Sequence, residues 1–526
     1  MSQQKKKIGE VVDARVSTGI NVKLSLSNPE EIKTGYPVIA EGEKYSFYCI
    51  VMDVYNPVVP VVDTVATSDI AKSAIPAVSP GMQKGYLANI FYSKALLEPI
   101  QVIEKKTSEL GEVETIPQYF AEVRFATADD VKAIYQPTRS SMPIGNLRGI
   151  PEFSIPIDFE KLTEKSFAIL GRTGMGKSFL NKIICNFILQ TEVASVFVFD
   201  MHGEYGMFSS TDNSNGLKFY FPQKVEWFTL DPKRNKEAAP FFIDPESITP
   251  EDLILALPDL SQRMQDAIWE INKGRRENDL LTAIKLAESG DTIPESTLHG
   301  LQARIARLER MDFIKPAPKT MREDPFNTIL RRVKESKSIV LDFGEYGKDS
   351  MVYLFVANVI SRRLHEIYTD EKGEDLPRLV IFLEEAHKFL DPKVADLTIF
   401  SVLAREMRKF NLVVVLIDQR PSRIDDEIMS QLGNRMILSL KESKDLDHAL
   451  SGLPKASVWS NIVQTIPART ALIVGDAVRV PTVIEIMDYS TIQRHLENSS
   501  TGKKKLTAEE IGRITKDAGK MTSSID

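Results

Sequence analysis

Cysteine is scarce in this chain of 526 residues, which contains only Cys49 and Cys185. Both lie in apolar stretches, so we expect buried free thiols and neither a disulfide framework nor a zinc site. Long apolar runs are lacking too, since none reaches the ~20 residues that span a bilayer. The lysine-rich start is not followed by the apolar region of a signal peptide. We therefore expect a soluble, cytoplasmic protein with no membrane partner.

An excess of basic charge is also absent, because the formal net charge is −7. This balance argues against a protein coated in a basic DNA-binding surface, but it leaves room for a local basic channel. Hydrophobic residues are 43% and charged residues 26% of the chain, which argues against a mostly disordered protein. The length exceeds what one core fills and predicts two or three domains.

Residues 1–127 are rich in short strand patterns separated by turns. Strands are predicted at 21–26, 45–54, 88–92 and 121–125. Short strands of this kind indicate a small β-barrel. The stretch 56–82 is rich in Pro, Val, Ser and Ala, and it is either a subunit contact or a mobile loop.

After a linker at 128–142, short apolar runs alternate with helix-length segments as far as residue 490. The predicted buried strands are 166–170, 193–199, 338–343, 379–383, 412–417 and 435–440. This alternation is typical of a parallel α/β sheet. A polar, charged stretch at about 248–335 predicts a helical insertion. Residues 491–526 are predicted to form a tail or an arm that docks on a neighbour.

A phosphate-binding loop is the clearest motif, with the pattern G-x-x-x-x-G-K-S after a strand and before a helix. Glycines let backbone N–H groups wrap phosphates, and the helix N-terminus favours negative charge. Lys177 would reach the β- and γ-phosphates, and Ser178 would ligate Mg²⁺. The predicted nucleotide-binding residues are Gly171, Arg172, Thr173, Gly174, Met175, Gly176, Lys177, Ser178 and Phe179.

Two acids, Glu384 and Glu385, end the apolar strand at 379–383 in a Walker B pattern. The first acid would hold Mg²⁺, and the second would polarise the attacking water, which predicts a hydrolase. The usual first acid is Asp, and here it is Glu384. Two solvated acids at a strand end are the alternative interpretation.

Other polar residues follow predicted strands or a helix. Asp200, His202 and Glu204 follow a strand and are predicted to lie near the γ-phosphate or a subunit boundary, because ligands bind at the carboxyl ends of parallel strands. Arg405 and Arg408 share a helix face and could reach a neighbouring subunit as arginine fingers, the alternative being a solvated basic face. Gln419 follows another strand and suits a sensor of the γ-phosphate.

Together these motifs resemble the HerA helicase family, within the HerA/FtsK group of P-loop ATPases. The resemblance runs in order through GRTGMGKS, FDMHGEY, IFLEEAHKFL, AREMRKF, DQRPS and SQLGNRMIL, over most of residues 143–490. The stretch 468–486, which contains ALIVGDAVRVPTVIEI, also resembles the closing strands of the family. The resemblance implies a RecA-like α/β ATPase core with a helical insertion, preceded by the small barrel that HerA proteins share with ATP synthase subunits.

The resemblance also implies a homohexameric motor that uses ATP and Mg²⁺ to pass double-stranded DNA through a central pore. HerA-like proteins work with a nuclease such as NurA, or with antiphage effectors. Two positions depart from the family pattern, with Met407 where many relatives have Gly and Asp418 where many have Ser or Thr. We expect neither departure to abolish hydrolysis.

Two other functions stay open: a ring-shaped ATPase scaffold that regulates an effector, and a peptide-remodelling ATPase. A DNA motor needs basic or polar loops that face the pore. The candidates are Lys233, Arg234, Lys236, Lys388 and Lys393, although each is more often an ordinary surface residue. Stimulation of ATP hydrolysis by DNA would separate the motor from the other two functions.

Overall fold

A computed structural model describes residues 6–25, 29–57, 92–209, 213–257, 259–276, 278–316, 324–370, 376–392, 394–406 and 410–500. Two β-sheets, each with its own hydrophobic side chains, organise these parts of the chain. Within the described ranges, every helix is too short or too polar to cross a membrane.

The N-terminal sheet is a closed barrel. Its strands are β1 Lys7–Arg15, β2 Gly19–Leu24, β3 Pro37–Glu41, β4 Tyr45–Tyr55, β5 Lys94–Glu104, β6 Leu110–Gly111 and β7 Glu122–Phe125. The antiparallel order is β2-β1-β7-β3-β4-β5-β6. Pairing of β2 with β5 closes the ring, and the short strand β6 pairs with β5 outside it. The predicted barrel is confirmed. Residues 88–91 of one predicted strand, and all but the first two residues of 56–82, lie outside the described ranges.

Side chains of β4 alternate between two cores, because successive residues of a strand point to opposite faces. Phe47 and Cys49 pack inside the barrel, while Tyr48 and Ile50 join the core of the larger domain. The Tyr48 hydroxyl lies 3.2 Å from that of Tyr135, across this boundary. Both cysteines are buried and free, as predicted.

The second sheet has twelve strands, in the order β15-β14-β16-β11-β17-β18-β10-β19-β20-β21-β8-β9. Its members are β8 Ser141–Leu147, β9 Ile150–Asp158, β10 Phe167–Leu170, β11 Ser195–Asp200, β14 Val225–Thr229, β15 Ala239–Pro240, β16 Ser338–Asp342, β17 Leu379–Glu384, β18 Leu412–Asp418, β19 Asn434–Leu438, β20 Thr470–Gly475 and β21 Thr482–Ile486. A separate hairpin contains β12 Phe208–Ser209 and β13 Ser214–Asn215.

Strands from β15 through β19 in this order are parallel, and the rest are antiparallel. All six predicted strands are found, with ends displaced by at most two residues. The carboxyl ends of β10, β11, β17 and β18 therefore meet at one edge of the sheet, where ligand crevices form in parallel sheets.

Helices cover the sheet and connect its strands. They are α1 Ala128–Lys132, α2 Phe159–Leu162, α3 Lys177–Thr191, α4 Leu217–Tyr220, α5 Pro250–Ala256, α6 Gln262–Gly274, α7 Leu280–Leu286, α8 Glu295–Glu309, α9 Pro325–Lys334, α10 Ser350–Asp370, α11 His387–Leu390, α12 Ile399–Glu406, α13 Asp426–Gln431, α14 Ser443–Ala449, α15 Ala456–Thr465 and α16 Tyr489–Ser500. Helices α3 and α10 are largely buried, and their apolar residues belong to the core beneath the parallel strands.

Helices α5 to α9 occupy the stretch that was predicted to be a helical insertion. Side chains at the N-cap positions of four of them, Thr249, Ser261, Asp279 and Asp324, accept hydrogen bonds from backbone N–H groups of the first turn. Such caps satisfy donors that have no partner within the helix. The helical prediction for this region is therefore confirmed.

Candidate active site

The loop between β10 and α3 has backbone geometry that glycine makes accessible. Gly171, Gly174 and Gly176 have φ angles of 156°, 80° and 106°, in the left-handed region that disfavours other residues. A Cβ atom on Gly171 would lie 2.7 Å from the Cβ of Leu438. The Gly171 N–H donates to the Asp418 carbonyl at 3.1 Å, which ties the loop to the end of β18. The predicted strand–loop–helix arrangement is therefore present.

Lys177 begins α3 and folds back over the loop. Its Nζ donates to the Gly171 carbonyl oxygen at 2.6 Å. Burial lowers the pKa of this lysine, while the nearby carboxylates of Glu385, Asp418 and Glu384 act in the opposite direction. The cation thus lies within the electrostatic reach of the acids that end β17 and β18.

The two acids at the end of β17, Glu384 and Glu385, have different surroundings. The Glu384 side chain is half-buried at the cleft, and loss of hydration, followed by the charges of Asp200 and Glu204, raises its pKa to about 7. The Tyr205 hydroxyl donates to Glu384 Oε1 at 3.2 Å. Glu385 has a φ of 52° and a side chain that is 37% exposed. A left-handed backbone in a non-glycine residue costs roughly 1–3 kcal/mol and is often found at functional sites.

Asp418 connects the ends of β17 and β18. Its side chain is fully buried. Its Oδ2 accepts hydrogen bonds from the His387 backbone N–H at 2.6 Å and, in the tautomer protonated there, from ring Nδ1 at 2.9 Å. Its Oδ1 accepts from the Arg420 N–H at 2.6 Å. The other ring nitrogen of His387 lies 3.8 Å from Glu385 Oε2. One carboxylate therefore holds the segments that carry Glu385 and Gln419.

An open cleft of about 460 Å³ brings most of the predicted residues together. Its lining consists of Thr173, Gly174, Gly176, Lys177, Ser178, Phe179, His202, Glu384, Glu385, Ile417, Gln419, Ala468 and Arg469. The Thr173 hydroxyl donates to Gln419 Oε1 at 2.5 Å, so the P-loop contacts the predicted sensor directly. Arg172 is exposed, and neither Arg172 nor Met175 is part of this lining.

Asp200 and Glu204 hold the loop after β11 and are not part of the cleft lining. Asp200 accepts hydrogen bonds from the N–H groups of Glu204 and Tyr205, both at 2.8 Å. Its carboxyl group is buried, and burial raises its pKa to about 6. Glu204 Oε2 lies 3.7 Å from the Nζ of the buried Lys182. From this loop, only His202 reaches the cleft.

Oxygen ligands for a divalent cation are available in the cleft, since the Ser178 hydroxyl and the Glu384 carboxylate both line it. Mg²⁺ prefers oxygen ligands and is usually held by one or two protein groups together with substrate phosphates and water. Among the described residues, no group of three or more His, Cys, Asp or Glu side chains is arranged to hold a metal alone. The donor set therefore fits a cation that is shared with a nucleotide.

Of the two candidate arginine fingers, the structure describes only Arg405. Arg408 lies outside the described ranges. Arg405, near the end of α12, pairs within its own chain, with Nη2 3.8 Å from Asp425 Oδ1 and Nη1 3.5 Å from Glu427 Oε2. Its side chain is 30% exposed, so in this conformation its guanidinium is engaged with α13 and the residue before it.

Sequence reasoning missed two features of the site. It noted Asp418 as a departure from the family and quoted His387 within a motif, but it did not predict their contact. It also gave no role to Arg469, which lines the cleft and whose N–H donates to the Met175 carbonyl at 2.9 Å. A left-handed φ of 58° marks Arg469 in the structure, but no motif marks it in the sequence.

This chain is similar to several known proteins. Residues 142–364 match the family model described as "Helicase HerA, central domain". The DNA double-strand break repair helicase HerA of Sulfurisphaera tokodaii is 25% identical over 499 residues, covering 91% of this chain and 92% of that protein. HerA of Pyrococcus furiosus is 23% identical over 459 residues, covering 78% and 80%. The structure of VirB4 of Thermoanaerobacter pseudethanolicus has a TM-score of 0.46 at 15% identity, covering 66% of this chain and 96% of that one.

Proposed function

Because the chain belongs to the HerA family of P-loop ATPases, we propose that it is an ATP-driven motor that translocates double-stranded DNA. The observation that carries the ATPase part is the convergence of the P-loop lysine, Lys177, and the exposed acid, Glu385, on one cleft. The DNA part is supported by the relatives, whose names describe DNA double-strand break repair helicases.

Hydrolysis in this proposal divides the work among five side chains. Lys177 turns from the Gly171 carbonyl to the β- and γ-phosphates when the nucleotide binds. Glu385 accepts a hydrogen bond from the attacking water and takes its proton as the water oxygen bonds to the γ-phosphorus and the bond from that phosphorus to the bridging oxygen of ADP breaks. Gln419, which contacts Thr173 of the P-loop, orients the water or the γ-phosphate. Ser178 and Glu384 are the residues that would hold Mg²⁺, which would offset the phosphate charge.

Assembly completes the site. A P-loop leaves part of the γ-phosphate exposed, and a guanidinium from a neighbouring subunit can stabilise the charge that builds there, an effect of ~10³–10⁵ in rate. We assign this role to Arg408, with Arg405 as its helper once it leaves Asp425 and Glu427. The assembly proposed is a homohexameric ring around the DNA, which works with a nuclease or an antiphage effector.

The experiment that tests the proposal is ATP turnover with and without double-stranded DNA. A motor predicts stimulation that is independent of DNA sequence and that weakens steeply with salt, because phosphate contacts release counterions. Lys177→Ala is the control, and it should be inactive under all conditions. ATP turnover that assembled protein performs at the same rate with and without DNA would favour a ring that organises an effector, and would contradict the motor.

A further inference from the structure

A second cleft opens beside the phosphate cleft, between the start of α3 and the segment that follows β21. Its volume is about 170 Å³. Gly176, Phe179 and Arg469 line both clefts, so the two meet at the end of the P-loop. Asp488 and Tyr489 line only the second cleft. When the phosphates of a nucleotide occupy the P-loop, its sugar and base can therefore reach this neighbouring recess.

Arg469 forms a flat surface at this junction. Its guanidinium carbon lies 5.9 Å from the centroid of the Phe179 ring. One guanidinium nitrogen donates to Asp488 Oδ2 at 3.1 Å. Asp488 is fixed in turn, because its Oδ1 accepts the Ser490 N–H at 3.0 Å. The Arg469 backbone is anchored to the P-loop through Met175 and to β21 through the N–H of Ile486, which donates to its carbonyl at 2.7 Å.

Aromatic side chains complete the recess. The rings of Phe179 and Tyr489 have centroids 6.3 Å apart at an angle of 43°. Tyr489 is buried, and its hydroxyl accepts a hydrogen bond from Asn186 Nδ2 at 3.2 Å. The cleft thus combines fixed aromatic rings with a guanidinium whose orientation is set by a carboxylate.

Charge decides what such a cleft can hold. Burial raises the pKa of Asp488, but the hydrogen bonds from Ser490 and the Arg469 guanidinium together outweigh burial and lower that pKa. The carboxylate of Asp488 therefore balances the positive charge of Arg469. A phosphate group would meet that carboxylate and would be repelled. An uncharged, planar base is a better fit, because guanidinium groups and aromatic rings both stack on flat π-systems.

We propose that this second cleft binds the purine base of the nucleotide, and that the Arg469 guanidinium is the surface on which the base stacks. The inference rests on the proposed ATPase function and extends it from phosphate recognition to base recognition. Arg469 would then be a specificity-determining residue. It selects the larger purine over a pyrimidine through stacking area, not through hydrogen bonds.

The test compares probes with and without a base, on the full-length protein. Competition against fluorescent ADP would give the affinities of ADP, CDP and inorganic tripolyphosphate for the wild type, Arg469→Ala, Arg469→Lys and the control Arg479→Ala. Arg479 is an exposed arginine between β20 and β21 that lies outside the lining of both clefts. Because Arg469 is itself 57% exposed, its replacement should leave the melting temperature nearly unchanged.

The wild type should bind ADP severalfold more tightly than CDP, because the purine offers a larger flat surface to the guanidinium than the pyrimidine does. Arg469→Ala should lose this preference while its affinity for tripolyphosphate stays unchanged. Arg469→Lys keeps the charge but loses the planar group, so it should also lose much of the preference. Arg479→Ala should match the wild type.

Two results would overturn the inference while the proposed ATPase stands. If Arg469→Ala lost affinity for ADP and tripolyphosphate equally, the result would show that Arg469 binds the phosphates and not the base. An unchanged preference for ADP over CDP in that variant would show that the base does not bind in this cleft. Failure of the wild type to bind either ADP or tripolyphosphate would instead refute the nucleotide site itself, and the inference with it.

Discussion

Replacing Asp418 with alanine should slow hydrolysis far more than it weakens nucleotide binding. The carboxylate is fully buried and accepts three hydrogen bonds, two from His387 and one from Arg420. The first two bonds fix the segment after Glu385, and the third fixes the loop that carries Gln419. The substitution therefore loosens both groups that are proposed to orient the attacking water.

The magnitudes follow from these contacts. Hydrogen bonds to a charged group contribute roughly 1.5–3 kcal/mol each. The His387 side chain is 14% exposed, so water can replace part of what is lost, and we expect a destabilisation of about 3 kcal/mol. A catalytic group displaced by about 1 Å costs ~10² in rate. We therefore expect kcat to fall about 10²-fold, a barrier increase of ~2.7 kcal/mol.

The assay measures kcat with DNA present, the affinity for fluorescent ATP, and the melting temperature of each variant. Asp426→Ala is the matched control, because Asp426 Oδ1 lies 3.0 Å from His448 Nδ1 in an acid–histidine pair that is 84% exposed on the acid side. That variant should lose less than ~0.5 kcal/mol and keep its kcat. Affinity for ATP should change by less than about threefold in Asp418→Ala, since the P-loop bonds to the Asp418 backbone and not to its side chain.

A kcat for Asp418→Ala within about threefold of the wild type would refute this reasoning, because the carboxylate would then support only the fold. So would a loss of ATP affinity as large as the loss of kcat. Asp418→Asn keeps an acceptor oxygen and should lie between the alanine variant and the wild type.

Three further predictions concern individual side chains. Glu385→Gln should bind ATP and hydrolyse it orders of magnitude more slowly; if Glu384→Gln traps ATP and Glu385→Gln turns over normally, the two acids have been assigned in reverse. Mixing Arg408→Ala with Lys177→Ala should restore activity above either variant alone, and mixed rings without activity would exclude Arg408 as a finger in trans. Without nucleotide or Mg²⁺, Glu384→Gln should melt above the wild type at pH 8. An acid whose folded-state pKa is raised to about 7 destabilises the fold most when it is ionised. The gain in melting temperature of Glu384→Gln over the wild type should therefore shrink as the pH falls from 7 towards the ordinary pKa of ~4.3. An advantage that does not change with pH would contradict the raised pKa.

The sequence was informative where a pattern is local. Short buried runs predicted the parallel strands to within two residues, because both faces of such strands are covered and leave no polar alternation. The P-loop and the two acids at the end of β17 lie at the strand ends where the sequence predicted them, because each motif lies within a single strand–loop segment. The rule that ligands gather at strand ends then brought Lys177, Glu385 and Gln419 to one edge.

The same rule does not bring the side chains of Asp200 and Glu204 into the lining of the cleft. A strand end places a residue at the correct edge, but it does not decide where the side chain points. The Asp200 carboxylate turns back to satisfy two backbone N–H groups, and Glu204 faces Lys182. The contact between Asp418 and His387 and the position of Arg469 depend on segments that meet only after folding. Closure of the barrel by β2 and β5 is another such case, since strand patterns do not specify non-local pairs.

Displacement of a third strand from a triplex on double-stranded DNA tests the central claim most directly, because it requires movement along the duplex. The account predicts displacement that needs ATP hydrolysis, occurs for the wild type at any duplex sequence, and is lost in Lys177→Ala and Glu385→Gln. Protein that hydrolyses ATP and assembles into rings, but leaves the triplex intact at low salt, would contradict a DNA-translocating motor.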